Sequence, residues 1–220
     1  MLHSYGLTLY EPNDLDCDTA TPAIADLRQI TTWAVEVLCS PNPQLGRTGP
    51  VCPYTRPSMN NHCFLLAWAS GEHDIRTTES TADRYRRWFM ELLEQSERAR
   101  QHLLTILVVL PAFDRTDPGP LDELQARLKE AFVREGLMIG QFHPHCEQSG
   151  LWNENFRPLK APIPLLAIRR MVPSDLPFLL DSGSHLSAYL DRFAPDIPPH
   201  IRRFLIARIT KTTGQHMKVS

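Results

Sequence analysis

Apolar positions along this chain change period several times, and the changes mark out its elements. From Thr21, an N-cap residue followed by Pro22 at the first helical position, apolar side chains recur at Leu27, Ile30, Ala34, Val37 and Leu38. That spacing predicts one helix face, ending at Ser40-Pro41. HCFLLAWA, 62–69, is a short apolar run between turn residues and predicts a buried strand. STADRYRRWFMELLEQS then returns to helical period, with Tyr85, Trp88, Phe89, Leu92 and Leu93 on one side and Arg84, Arg86 and Arg87 elsewhere. LLTILVVL, 103–110, is apolar on both alternating faces, as a central strand covered on both sides requires.

The second half continues the alternation. LDELQARLKEAFVREG places Leu121, Leu124, Leu128, Ala131 and Phe132 at helical spacing, with Gly136 as a C′ stop. LMIGQF and PIPLLAIRRM predict two more strands, and helices are expected around 184–194 and 199–210. The order helix, strand, helix, strand, helix, strand, strand, helix, helix predicts an α+β fold. Its core is a small, mostly buried four-stranded sheet with β-α-β units, helices packed on it and two C-terminal helices. Residues 1–20 show no sustained period and are expected to form an irregular leader before a single globular domain at 21–210, with 211–220 as a tail.

Composition narrows the partners. With 220 residues, 42% hydrophobic and a formal charge of −2, the chain has one sizeable core and no broad positive field. Nucleic acid is therefore excluded as an expected partner. Apolar runs reach only about eight residues against the ~20 that span a bilayer, so no membrane partner is expected. Five cysteines, Cys17, Cys39, Cys52, Cys63 and Cys146, are odd in number and lack CxxC spacing, which favours reduced thiols in the cytoplasm. A homodimer is among the assemblies the composition allows. The 19 prolines gather at 41–57, 111–120, 158–164 and 195–199 and mark rigid connections.

Three segments carry candidate chemistry. IGQFHPHCEQSGLW, 139–152, ends a predicted strand and opens a loop of roughly 20 residues, a length that is frequently functional. Its His143 and His145 are two apart, so in extended geometry they share a side. Either imidazole can ligate a metal or heme iron or act as a base; a histidine at a strand end is also often just hydrogen-bonded. HxH plus Cys146 falls short of a zinc signature. GPVCPYTRP, 49–57, would hold Cys52, Tyr54 and Arg56 over a pocket, or else shape a crossover with Cys52 as a small buried hydrophobe. SGLWNENFRPLKAPIP supplies Trp152, Asn155 and Arg157, which suit a lined substrate pocket with a carboxylate anchor, although loop aromatics also pin long connections to a core. Ser174, Ser182 and Ser184 lack a GxSxG context.

On CPYTRP and IGQFHPHC the chain resembles a family of small bacterial proteins from biosynthetic neighbourhoods, known as a domain of unknown function, over roughly 45–195. More distantly it resembles the heme-dependent N-hydroxylases of guanidino and amino groups. Those share an early Pro-Cys loop, an apolar strand, a helix and a later Gly-x-[Leu/Phe]-His-Pro segment, matched here by Cys52 with Pro53 and by Gly140, Phe142, His143 and Pro144. The Ser-Arg that often follows the Pro in that family is replaced here by HCEQSG. The resemblance implies a heme- or iron-dependent oxidation of a small nitrogenous metabolite in secondary metabolism. His143 would be the axial ligand, Cys52 and Phe142 would lie against the cofactor, and Tyr54, Arg56 and His145 would act on the substrate side. Trp152, Asn155 and Arg157 would bind the substrate. Non-heme iron or zinc is the alternative cofactor. The competing readings are a cofactor-free metabolite-binding or partner protein, and a metal-dependent hydrolase or cyclase built on His143, His145 and Glu147.

Overall fold

One antiparallel strand, inserted between parallel neighbours, organises the molecule. The computed structural model describes residues 1–16, 18–69 and 75–216, with side chains through residue 210; Cys17 lies outside the described residues. The central sheet comprises β3 (Phe64–Trp68), β4 (Thr105–Val109), β5 (Leu137–Phe142) and β6 (Leu165–Arg170), in the order β3-β4-β6-β5. β3 and β4 are parallel, and β6 runs antiparallel to both β4 and β5. The α3 helix (Ile75–Gln95) makes the β3–β4 crossover, and α4 (Gly119–Arg134) carries the chain over β6's place to β5.

The alternation within each strand divides the core between two faces. On one face Leu65, Ala67, Ile106, Val108, Leu137, Ile139, Leu166 and Ile168 pack beneath Tyr85, Trp88 and Phe89 of α3 and Leu121, Leu124, Leu128 and Phe132 of α4. On the other face Phe64, Leu66, Leu107, Val109 and Leu165 pack beneath Leu27, Ile30 and Trp33 of α1 (Pro22–Trp33). Thr21 caps α1 by accepting from the Ile24 amide at 3.3 Å, as the sequence predicts. The helix does not end cleanly: Ala34–Leu38 continue as a π-helical turn, which leaves Val37 exposed. Helices α5 (Gly183–Phe193) and α6 (Pro199–His216) close the chain, with α6 running past the expected boundary at 210 and exposing Ile201 and Phe204.

Two short elements escape the sequence periodicity. The expected irregular leader contains an antiparallel hairpin, β1 (Leu2–Ser4) and β2 (Leu7–Leu9), turned at Tyr5 and Gly6 with φ of 54° and 66°. Strands of three residues are too short to display a period, and positive φ at both turn residues suits a tight hairpin. The segment is anchored, because Tyr10 exchanges two 2.8 Å backbone hydrogen bonds with Leu66 and both Leu9 and Leu15 are buried. Within the proline-rich connection, α2 (Thr55–Asn60) forms a brief helix whose Ser58 hydroxyl donates to the Leu103 carbonyl at 2.7 Å.

Candidate functional site

The two motifs meet on one face of the sheet. Phe142, the last residue of β5, packs against the α1-side core and meets Trp33 edge-on, with ring centroids 5.8 Å apart. Two residues earlier, Gly140 points to the same face and pairs directly with Ala167 of β6. A Cβ placed on Gly140 would meet only the Phe142 ring, at 3.8 Å, so the space above it is otherwise open. Both residues are partly exposed, whereas the neighbouring sheet positions Leu107, Val109 and Leu165 are buried. The result is a shallow floor of two small residues at the β5 edge of the sheet, a place where another group can approach the backbone closely.

The Cys-Pro-Tyr loop forms one wall of this floor. Its position is set by the π-helical turn: the Cys52 amide donates to Leu38 O at 2.8 Å and the Val51 amide to Ser40 O at 3.0 Å. Such turns recur at functional sites because they displace the helix backbone locally. Cys52 is partly buried and packs against the same core as Ala167 and Phe142. Tyr54 is half-buried and meets His102 edge-on at 6.3 Å. Arg56 is exposed on α2, within electrostatic reach of the Cys39 thiol, whose pKa burial raises.

Arg169 closes the far end and was not anticipated from the sequence. It follows Ala167 by two, so it faces the same way, and Asp175 clamps it with bonds of 2.7 and 2.6 Å. Burial opposes its charge, but the Asp175 bonds outweigh that, helped by Cys52 and Tyr54 nearby, and its pKa is pushed up. About a third of its side chain, 31%, remains exposed. The only sequence signal was the Arg169-Arg170 pair at the end of an apolar strand, where alternation sends one side chain to each face.

His143 takes a different role from its expected one. Its ring is 2% exposed and turned toward the α4 side, where Nε2 lies 3.1 Å from the Asp122 carboxylate. Its backbone ties the following loop: N donates to Leu159 O at 3.3 Å, and O accepts from Cys146 at 3.2 Å and Ala161 at 3.3 Å. Nδ1 is buried without a partner. This arrangement does not fit a heme iron. The Nε2–H donates to Asp122, so Nε2 has no lone pair for iron, and an iron approached through Nδ1 would press the macrocycle against Cβ. It does not fit zinc or non-heme iron either, which need three or four protein ligands; among the described residues no group of three metal-capable side chains occurs. His145 is exposed, and Glu147 is held by Arg157 at 3.1 Å and Lys160 at 3.5 Å, with its carboxyl pushed below the usual range by those cations.

The long loop does not gather its three expected substrate residues. Trp152 is 63% exposed, Asn155 is an exposed turn residue, and Arg157 is occupied by Glu147. Phe156 is the aromatic that pins the loop, buried beneath Gly150, whose amide donates to Phe156 O at 2.8 Å. Of the expected site residues, Phe142 thus borders the floor, Cys52 packs on the same core, and Tyr54 lies within electrostatic reach of Arg169. His143 braces the strand end from the opposite face.

No helix among the described residues is long and apolar enough to cross a membrane. No curated protein and no solved structure matches the chain. A family described as a domain of unknown function (DUF6875) matches residues 27–204, a span that takes in both motifs and the whole central sheet, and the chain belongs to that family.

Proposed function

We propose that this chain is a small-molecule protein of biosynthetic metabolism that receives a flat, nitrogenous metabolite on the open face of β5 and β6. The observation that carries the reading is the Gly140–Ala167 pair, which leaves room at the β5 edge of a sheet face beside Phe142 and Arg169, with Cys52 packed on the same core. A planar body suits the flat floor and the Phe142 edge. The metabolite's polar end would lie toward the exposed part of Arg169 and the Tyr54 hydroxyl. In this reading the protein holds its ligand without a cofactor at His143, whose part is to fix the end of β5 through Asp122.

Heme-dependent oxidation of such a metabolite is a second reading, favoured by one feature: Cys52, a soft donor of a kind that binds heme iron, is partly buried beside the same floor. A bound heme would supply the oxygen chemistry that side chains do poorly. The residues of the floor would exclude water and orient the substrate.

One experiment separates the two. The chain is expressed with iron and a heme precursor, its absorption spectrum is recorded, and a panel of amino and guanidino metabolites is screened by thermal shift. The first reading expects no Soret band, and a stabilising hit that disappears in Gly140→Val and Ala167→Val while both variants stay folded. A Soret band lost in Cys52→Ser supports the second. A Soret band lost in His143→Ala, with Cys52→Ser unaffected, overturns both.

A further inference from the structure

A second recess lies on another part of the molecule, between the end of α4 and α5. It is an open cleft of about 540 Å3 whose lining includes Arg134, Glu135, Gly136, Ser184, Ser187 and Arg192. Gly136 is the buried C′ residue of α4, with φ of +74°. The Arg192 guanidinium lies directly on it, so that a Cβ there would come within 2.9 Å of Cζ. The positive φ favours glycine at this turn.

The charges around this cleft do not cancel locally. Glu135 is taken by Arg86, and Asp191 by Arg202. Glu130 accepts the Ser184 hydroxyl at 2.8 Å and pairs with His185 at 3.2 Å. Arg192 has no hydrogen bond or ion pair among the described residues, only the Phe193 ring 5.9 Å away, and Arg134 has none either. Burial lowers the Arg192 pKa, and the neighbouring Arg170 lowers it further. A half-buried guanidinium without a counter-charge is costly, and an anion that reaches it removes that cost.

We propose that this cleft binds a small oxyanion, a carboxylate or a phosphate, through Arg192, with Arg134 and Ser187 on the walls. The planar fork of Arg192 suits two oxygens at once. Glu130, Glu135 and Asp191 in the same lining disfavour a large polyanion. The site is independent of the sheet-face floor, because Arg169 and Arg170 leave β6 on opposite faces and only Arg170 adjoins Arg192.

The test is a two-dimensional amide and Arg side-chain NMR titration of the full chain, with sodium acetate and separately with sodium phosphate, at constant ionic strength set by chloride. Saturable shifts centred on Gly136 and the Arg192 Nε–H are expected with at least one anion, and which anion saturates first identifies the source. Arg192→Gln is expected to weaken binding at least about tenfold, ~1.4 kcal/mol, while Arg192→Lys retains part of it and Gly140→Val leaves it unchanged. Two results overturn the proposal: shifts that never saturate with either anion, or saturable shifts that map elsewhere on the wild-type chain. Both readings use the unmodified protein, so a poorly folded variant does not obscure them.

Discussion

The two faces of the central sheet are built from the same strands and finished differently. Beneath α3 and α4 the strands present Ile, Leu and Val, and large aromatics fill the layer above them. Beneath α1 the same filling covers β3, β4 and the start of β6, then stops at Gly140 and Ala167. Hydrophobic burial explains the first face completely. It does not explain the second, where two small residues leave a floor that larger side chains would have closed. The difference separates packing from a site: the same strand alternation serves both, and side-chain size decides which.

This contrast makes a ranked set of expectations. The largest effect belongs to the filled face: Phe89→Ala, at a residue with 0% exposure, should cost about 3–5 kcal/mol in chemical denaturation. A loss below about 1 kcal/mol would mean that this face is loosely packed and the contrast fails. Next comes the brace between the faces. His143→Ala should cost about 2–3 kcal/mol, through the cavity it leaves and the lost Nε2–H bond to Asp122, without changing any absorption spectrum. Asp175→Ala should cost about 2 kcal/mol, since it removes both Arg169 bonds and the 2.8 Å acceptor for the Val172 amide; the exposure of Arg169 keeps the loss below that of a fully buried pair.

Smaller still is the effect of filling the open face. Gly140→Ala should change stability by less than about 1 kcal/mol, and in the stabilising direction, because alanine restricts the unfolded chain and meets only ordinary contact. A destabilisation comparable to that of Phe89→Ala would show that the floor is closed. The finest comparison is among thiols. Burial raises the pKa of Cys63 and Cys146 and shields both thiols from reagent, so their alkylation should lag behind that of the more accessible Cys52. Peptide mapping after brief alkylation at neutral pH should find Cys52 modified well before either; equal labelling would remove Cys52 from the wall of an open floor.

The long elements were legible because each repeats its period several times. Helices α3 and α4 and strands β4, β5 and β6 fall where the apolar pattern puts them, Thr21 caps α1, and Gly136 ends α4 with a positive φ. The hairpin at residues 2–9 and the short α2 were not legible, since neither is long enough for a period to emerge. The candidate site was half legible. The CPY and GxFHP motifs marked the right segments, yet the histidine drew attention as the chemically versatile residue while Gly140 and Phe142 carry the face. Strand alternation from Phe142 already implied that His143 points away from it, but which face would be covered depended on α4 delivering Asp122.

What the sequence determined alone is the set of long elements and the face each buries, because hydrophobic period is a local property of a strand or helix. Only the tertiary structure decided that β6 inserts between β4 and β5. That insertion places Ala167 beside Gly140, and it brings Arg169 within electrostatic reach of Cys52 and Tyr54, more than a hundred residues away in sequence. Strand order rests on long-range pairing, which no local pattern encodes, and the open floor exists only once that order is made.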